Sequence, residues 1–178
     1  SDLIRDGILE IGDGYRAKNS ELDTAGLPFA RAGNINNGFH FEDADILSDK
    51  SVEKAKDKVS KPGDVVLTSK GSFGRFQFVT PETPKFIYSP QLCFWRVKDT
   101  SALDPRFLFY WMHGHDFGSQ AYQVKSLTDM ADYVSLRDQR RMTMTAPSLP
   151  MQRKIAAVLS TYDDLIENNN RRIDLLEK

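Results

Sequence analysis

Residues 147–178 read Pro-Ser-Leu-Pro-Met-Gln-Arg-Lys-Ile-Ala-Ala-Val-Leu-Ser-Thr-Tyr-Asp-Asp-Leu-Ile-Glu-Asn-Asn-Asn-Arg-Arg-Ile-Asp-Leu-Leu-Glu-Lys, with neither glycine nor proline after Pro150. Ile155, Leu159, Tyr162, Ile166, Asn169, Ile173 and Leu176 recur at alternating steps of four and three. That spacing keeps one edge of a helix apolar and forms a heptad seam over three repeats. Val158, Leu165 and Leu175 widen the stripe. From Met151 to Lys178 such a helix is about 42 Å long at ~1.5 Å per residue. The stripe could pack on its own domain or against a partner. Three features favour a partner. The other face is polar, and Asn169 occupies a seam position, where asparagine sets register and partner number. The pattern also reaches the last residue without a C-cap, as though the chain were cut before the helix ended. Burying six apolar seam side chains is a gross gain of about 10–18 kcal/mol, against an association cost of several kcal/mol or more.

Upstream, residues 1–149 have a different texture: short apolar runs broken by Gly, Pro, Asn and Ser. Strands are expected at Asp64–Ser69, Arg75–Thr80, Phe86–Tyr88 and Leu92–Lys98, all rich in β-branched or aromatic residues and bounded by breakers. Helices are expected at Ser51–Val59, at Asp104–His113, where Asp104-Pro105 makes a cap and first turn, and at Asp116–Gln123. Strands and helices intermix without a βαβ rhythm, so the expected class is α+β: a mixed globular region, 1–149, followed by a long coiled-coil-forming helix, 150–178.

With 178 residues, 40% of them hydrophobic and 11% aromatic, the chain is long enough for one cored domain and an appendage. No run approaches the ~18 apolar residues of a membrane span. The single cysteine, Cys93, lies in Leu92-Cys-Phe-Trp95 and is expected to be a buried structural thiol in a reducing cytoplasm. The first residues are Ser1-Asp2, with no methionine or signal-like stretch, as expected of a trimmed or replaced N-terminus.

Twenty-four basic and 25 acidic residues leave a net charge of −1, which argues against an indiscriminate nucleic-acid binder. The balance is uneven: residues 1–49 carry −6 and residues 50–75 carry +4. Catalytic signatures are missing. Lys70-Gly-Ser-Phe-Gly74 has its glycines and lysine in the wrong order for a phosphate loop, and there is no glycine-rich cofactor motif or adenine-methyltransferase loop. His113-Gly-His115 lacks nearby carboxylate or thiolate ligands. Asp64 with Lys70 lacks the second acid of a nuclease, and Asp163-Asp164 reads as a solvated helix face. No catalytic or metal-binding residue is assigned.

Binding chemistry is present instead. Arg16-Ala-Lys-Asn-Ser20, Arg31-Ala-Gly-Asn-Ile-Asn-Asn-Gly38, Ser69-Lys-Gly-Ser-Phe-Gly-Arg75 and Gln123-Val-Lys-Ser-Leu-Thr-Asp129 combine cations and amides with small residues. Arg and Lys hold phosphates or guanine, and Asn and Gln pair with adenine. Each loop taken alone is also explained by turn formation and solvated charge. The candidate DNA contacts are Arg16, Lys18, Arg31, Asn34, Lys70, Arg75, Gln123 and Lys125, the lysines favouring phosphates.

Leu9–Leu22, Leu27–Ile35, Pro62–Gly71, Tyr88–Leu92 and Pro147–Leu159, followed by Asp163 and Ile166, resemble in order one half of the specificity subunit of type I restriction–modification enzymes. The proline-flanked Gln152-Arg-Lys-Ile-Ala is the most specific piece. The resemblance implies a target recognition domain and a conserved spacer helix. Two such domains would read the halves of a split double-stranded DNA site, with paired antiparallel helices holding them apart. It implies partners too: methyltransferase subunits carrying S-adenosylmethionine, and a restriction subunit using ATP and Mg²⁺, with no cofactor on this chain. Having one domain and one helix, the sequence fits a fragment of a two-domain subunit or a natural half subunit, and self-association through the seam into a two-fold homodimer is expected. Recognition domains of type II restriction–methylation enzymes are similar, and a noncatalytic oligomerisation adaptor is the competing reading from the residues.

Overall fold

The computed structural model describes residues 3–69, 74–125 and 134–176, the side chains of Lys125 and Asp174 excepted. In order, its elements are β1 (Leu9–Asp13), β2 (Leu22–Asp23), β3 (Gly26–Ala30), β4 (Ile46–Ser48), α1 (Asp49–Lys54), β5 (Val65–Thr68), β6 (Phe76–Phe78), β7 (Ile87–Tyr88), β8 (Leu92–Val97), α2 (Pro105–His113), α3 (His115–Lys125), α4 (Leu136–Gln139) and α5 (Leu149–Leu176). The strands form two four-stranded sheets, ordered β1-β8-β5-β6 and β2-β4-β3-β7. The first is antiparallel throughout. In the second, β3 and β7 run parallel.

The near-continuous apolar runs of β5 and β8 follow from their central place. Val65, Leu67, Cys93 and Trp95 face the helices, meeting Phe107, Leu108, Trp111, Met112 and Phe117. Their alternates Val66, Leu92 and Phe94 face the other way, toward Ala30, Ile35, Phe86 and Tyr88. A strand covered on both faces has no polar side to display. Cys93 is buried, as expected of a structural thiol.

The expected α2 is present with its cap: Asp104 Oδ1 accepts from Phe107 N at 2.9 Å and Pro105 occupies the first turn. The helix expected at Ser51–Val59 instead ends at Lys54 and continues as a 3-10 turn, Lys56–Lys58. The reason is tertiary. Val59 bridges Ile87, and Ser60 N donates to Phe86 O at 2.9 Å, which draws the chain out of helical geometry.

α5 begins inside the globular core. Gln152, 2% exposed, accepts from Asp104 N at 2.9 Å and donates to Pro147 O at 2.9 Å and Ala102 O at 3.3 Å. Ala156 is buried, and Ile155, which the heptad count puts at the head of the seam, is half-buried against the same cluster. Two turns further, Tyr110 OH donates to Asp163 Oδ2 at 2.7 Å, tying α2 to α5. Burial and the Asp163 carboxylate push the Tyr110 hydroxyl well above its ordinary range. Seam residues from Leu159 onward are exposed: Leu159 38%, Tyr162 61%, Ile166 58%, Ile173 50% and Leu176 85%, with Asn169 among them. Val158, Leu165 and Leu175 are exposed beside them. The first two turns of the helix thus pack on the globular part, and the rest leaves a bare apolar stripe.

Candidate nucleic-acid interface

The chain departing β1 turns at Gly14, where a Cβ would lie 2.0 Å from Ser89 O, so only glycine admits this approach. Tyr15 N then donates to Tyr88 O at 2.7 Å, locking the loop to the end of β7. Glu21 fixes its far side, accepting from Tyr15 OH (3.0 Å), Lys18 N (3.0 Å) and Lys54 Nζ (3.2 Å). The Lys18 amide, the tyrosine and the lysine hold the Glu21 carboxyl below the usual carboxylate range. Arg16 and Lys18 both project into solvent from this braced loop.

The loop after β3 is built by the side chain expected to read bases. Asn34 Oδ1 accepts from Arg31 N at 2.8 Å and its Nδ2 donates to His40 O at 2.9 Å. Its amide is spent on the turn, so the turn-forming reading describes Asn34 in this structure. Arg31 pairs with Asp45 and lies 5.8 Å from the centroid of the Phe29 ring. Two further groups meet at Ala32: Gln91 Oε1 accepts from its N–H at 3.1 Å, and Arg75 Nη1 donates to its carbonyl at 3.4 Å.

Arg16, Arg31, Arg75 and Gln91, distant in sequence, are thus gathered around the Ala32 turn and the adjoining Ser89–Gln91 turn, and Arg16, Arg31 and Gln91 share one cleft. Gln123 is exposed on α3, which packs on the opposite face of the first sheet from Ala30 and does not join this group. Lys70 and the Lys125 side chain lie outside the described residues. Ser89 and Gln91 are the residues that sequence reasoning passed over. Ser-Pro-Gln between two apolar runs reads as an ordinary turn, and nothing local marks its closeness to Arg16.

Behind the turn sits a buried ion pair. Arg96 donates from Nε to Asp64 Oδ1 and from Nη2 to Asp64 Oδ2, both at 2.7 Å, and Tyr88 OH donates to Asp64 Oδ2 at 2.7 Å. Asp64 is fully buried and Arg96 stacks on Phe94 at 4.6 Å. Burial and the Asp64 carboxylate raise the Tyr88 hydroxyl well above its ordinary range. Asp64, set aside in the sequence as half a nuclease pair, is structural. It clamps the residue preceding Ser89.

Comparison with known proteins gives a consistent result. The family described as the type I restriction modification DNA specificity domain matches residues 6–178. A structure from work on complex assembly and conformational transition of the type I R-M system aligns at TM-score 0.67 and 21% identity, covering 93% of this chain and 38% of that one. The HsdS subunit of Thermoanaerobacter tengcongensis aligns at 0.64 and 22%, covering 93% and 37%. The S subunit of a type I system from M. genitalium aligns at 0.57 and 18%, covering 92% and 38%. The chain thus spans under two-fifths of the length of those chains. No curated protein sequence matches it.

Proposed function

This chain belongs to the family of type I restriction modification DNA specificity domains, and we propose on that premise that its globular part reads one half of a bipartite double-stranded DNA site. The observation that carries the reading is the convergence of Arg16, Arg31, Arg75 and Gln91 around Ala32, three cations and an amide presented by one braced end of a chain whose overall charge is near neutral. Charge placed on one face gives a modest, salt-sensitive affinity even when the sum is near zero.

The second element of the proposal is the projecting part of α5. From Leu159 to Leu176 the projecting part is about 27 Å long at ~1.5 Å per residue, on the scale of one duplex turn of about 34–36 Å, so it suits a spacer between half-sites. Its stripe from Leu159 to Leu176 would pair with a second copy, or with the second half of a longer subunit, in an antiparallel two-fold arrangement. Methyltransferase subunits would dock on this scaffold with S-adenosylmethionine, and a restriction subunit with ATP and Mg²⁺, leaving this chain noncatalytic. No described helix is long and apolar enough to cross a membrane, and we assign the complex to the cytoplasm.

Duplex binding measured across a salt series tests the reading. The chain should bind with a negative slope of log K on log salt, and the combined Arg16→Ala, Arg31→Ala, Arg75→Ala variant should lose most of the affinity and flatten the slope by about two, Arg31 being matched by Asp45. Full binding by that folded variant would remove these loops from the interface. Turnover of DNA by the purified chain with Mg²⁺ and S-adenosylmethionine would overturn the noncatalytic assignment.

A further inference from the structure

We propose that the cleft floored by Ser89 is a phosphate pocket gripping the backbone of one DNA strand, a reading that rests on the DNA-binding function proposed above. Ser89 is 2% exposed, yet its Oγ has no hydrogen-bond partner. Its N–H does have one, donating to Ala30 O at 3.0 Å, so the turn is held by its main chain and the hydroxyl is left over. Buried hydroxyls are almost always satisfied, so this one calls for a partner, and the cleft that Ser89 helps to line is where one could approach it.

The groups beside it share a single polarity. Ser89, Arg16, Arg31, Pro90 and Gln91 line the cleft together with the Phe29 ring. Ala32 N occupies Gln91 Oε1, which leaves the Gln91 amide nitrogen as the available end of that side chain. Arg16 forms no ion pair among the described residues, whereas Arg31 is matched by Asp45, the nearby carboxylate. Arg16 therefore contributes the uncompensated charge, and Ser89 Oγ–H and Gln91 Nε2–H add neutral donors. A site offering N–H and O–H donors with one net positive charge complements an acceptor-only, singly charged group, which describes a phosphodiester. The Tyr15–Tyr88 main-chain bond and the Asp64–Arg96 pair hold both walls in place beforehand.

Ser89→Ala tests this without disturbing the fold, because the lost hydroxyl makes no internal bond. The full chain carrying it should melt no lower than the parent and bind duplexes of unrelated sequence about tenfold more weakly, by the same factor on each. Arg16→Ala should lower the salt slope by about one, again irrespective of sequence. Three outcomes overturn the pocket while leaving the DNA reading standing: unchanged affinity in Ser89→Ala, a lower melting temperature with no binding defect, or a loss confined to particular sequences, which would mark a base contact. Failure of the parent chain to bind any duplex would overturn the DNA reading and the pocket with it.

Discussion

Gln152→Ala should destabilise the chain more than its position in the first turn of a long helix suggests. The parent side chain is 2% exposed and bridges three main-chain groups: Asp104 N, Pro147 O and Ala102 O. These belong to the cap residue of α2, the segment leading into α5, and the connection between β8 and α2. Alanine is an excellent helix former, so propensity itself favours the substitution. What is lost is hydrogen bonding, at about 0.5–1.5 kcal/mol net per bond, with the higher value where a buried group is left unpaired. Two short bonds and one longer one give roughly 2–4 kcal/mol. For a domain of this size each kcal/mol moves the melting temperature by about 2–4 °C, so the expected drop is roughly 5–15 °C. Thermal unfolding followed by circular dichroism measures it. Protein concentration must be matched, since the proposed self-association would make the midpoint concentration-dependent. Asn168→Ala, on the exposed part of the same helix, is the control and should move the midpoint by less than about 2 °C. If Gln152→Ala melts within that same margin, Gln152 does not join α5 to the globular part in the way described.

The remaining expectations concern the seam, the buried pair and the acid-sensitive brace. Leu159→Asp combined with Ile166→Asp places two carboxylates on the exposed stripe and should yield a monomer in sedimentation velocity, with melting of the globular part nearly unchanged; an oligomer that persists would move the interface off α5. Arg96→Met strands the Asp64 carboxylate in a fully buried site and should destabilise by about 3–5 kcal/mol, whereas Arg96→Met with Asp64→Leu should recover much of it, a cycle read from denaturant midpoints. The Glu21 carboxyl titrates below its usual range in the folded chain, so the brace it supplies is fully present above the ordinary carboxylate value and lost as pH falls through the folded one. Glu21→Gln should accordingly flatten the acid limb of the stability profile, and an unaltered limb would show that the brace contributes nothing.

Some of this architecture was legible in the amino-acid order, and what was legible is local. Asp104-Pro105 announces α2 because capping and a fixed proline φ act within one turn. The runs forming β5 and β8 are apolar on both faces, which marks central strands. The first sheet's remaining partner was not legible. β1 contains Gly12 and pairs with β8, its residues meeting partners 80 to 88 positions along the chain, from Asp13↔Cys93 to Leu9↔Val97. β3 carries Pro28 within Gly26–Ala30, a residue that argues against a strand. Periodicity predicted the long helix but could not show that Ala156, a small residue off the seam, would be buried at home while Tyr162, on it, would be bare. The candidate site divides in the same way. Arginine and asparagine in loops can be named from sequence, but Asn34 turned inward to close its own turn, and Ser89 and Gln91 come to line a cleft with Arg16 only through tertiary packing, with the main chain passing close to Ser89 at Gly14.

The near-neutral charge and the bare stripe belong to the same problem. A domain with few uncompensated cations neutralises few phosphates, so counterion release contributes little and its affinity for DNA is modest. Adding cations would raise affinity on every sequence alike, because phosphate contacts do not discriminate. Joining two such domains through a stiff helix instead makes the second contact intramolecular, with an effective concentration in the millimolar range when the spacer matches the span and near zero when it does not. On the proposed reading, weak contacts on each half-site then serve selectivity, since only DNA with both halves at the right separation receives the full gain. The anchoring of α5 is what would make the spacing exact. Gln152 fixes where the helix leaves the core and the Tyr110–Asp163 bond fixes its direction about three turns later. Tyr110→Phe should therefore leave binding to a single half-site intact while broadening the range of half-site spacings tolerated by the assembled pair. Identical spacing preference in parent and variant would detach the helix direction from recognition.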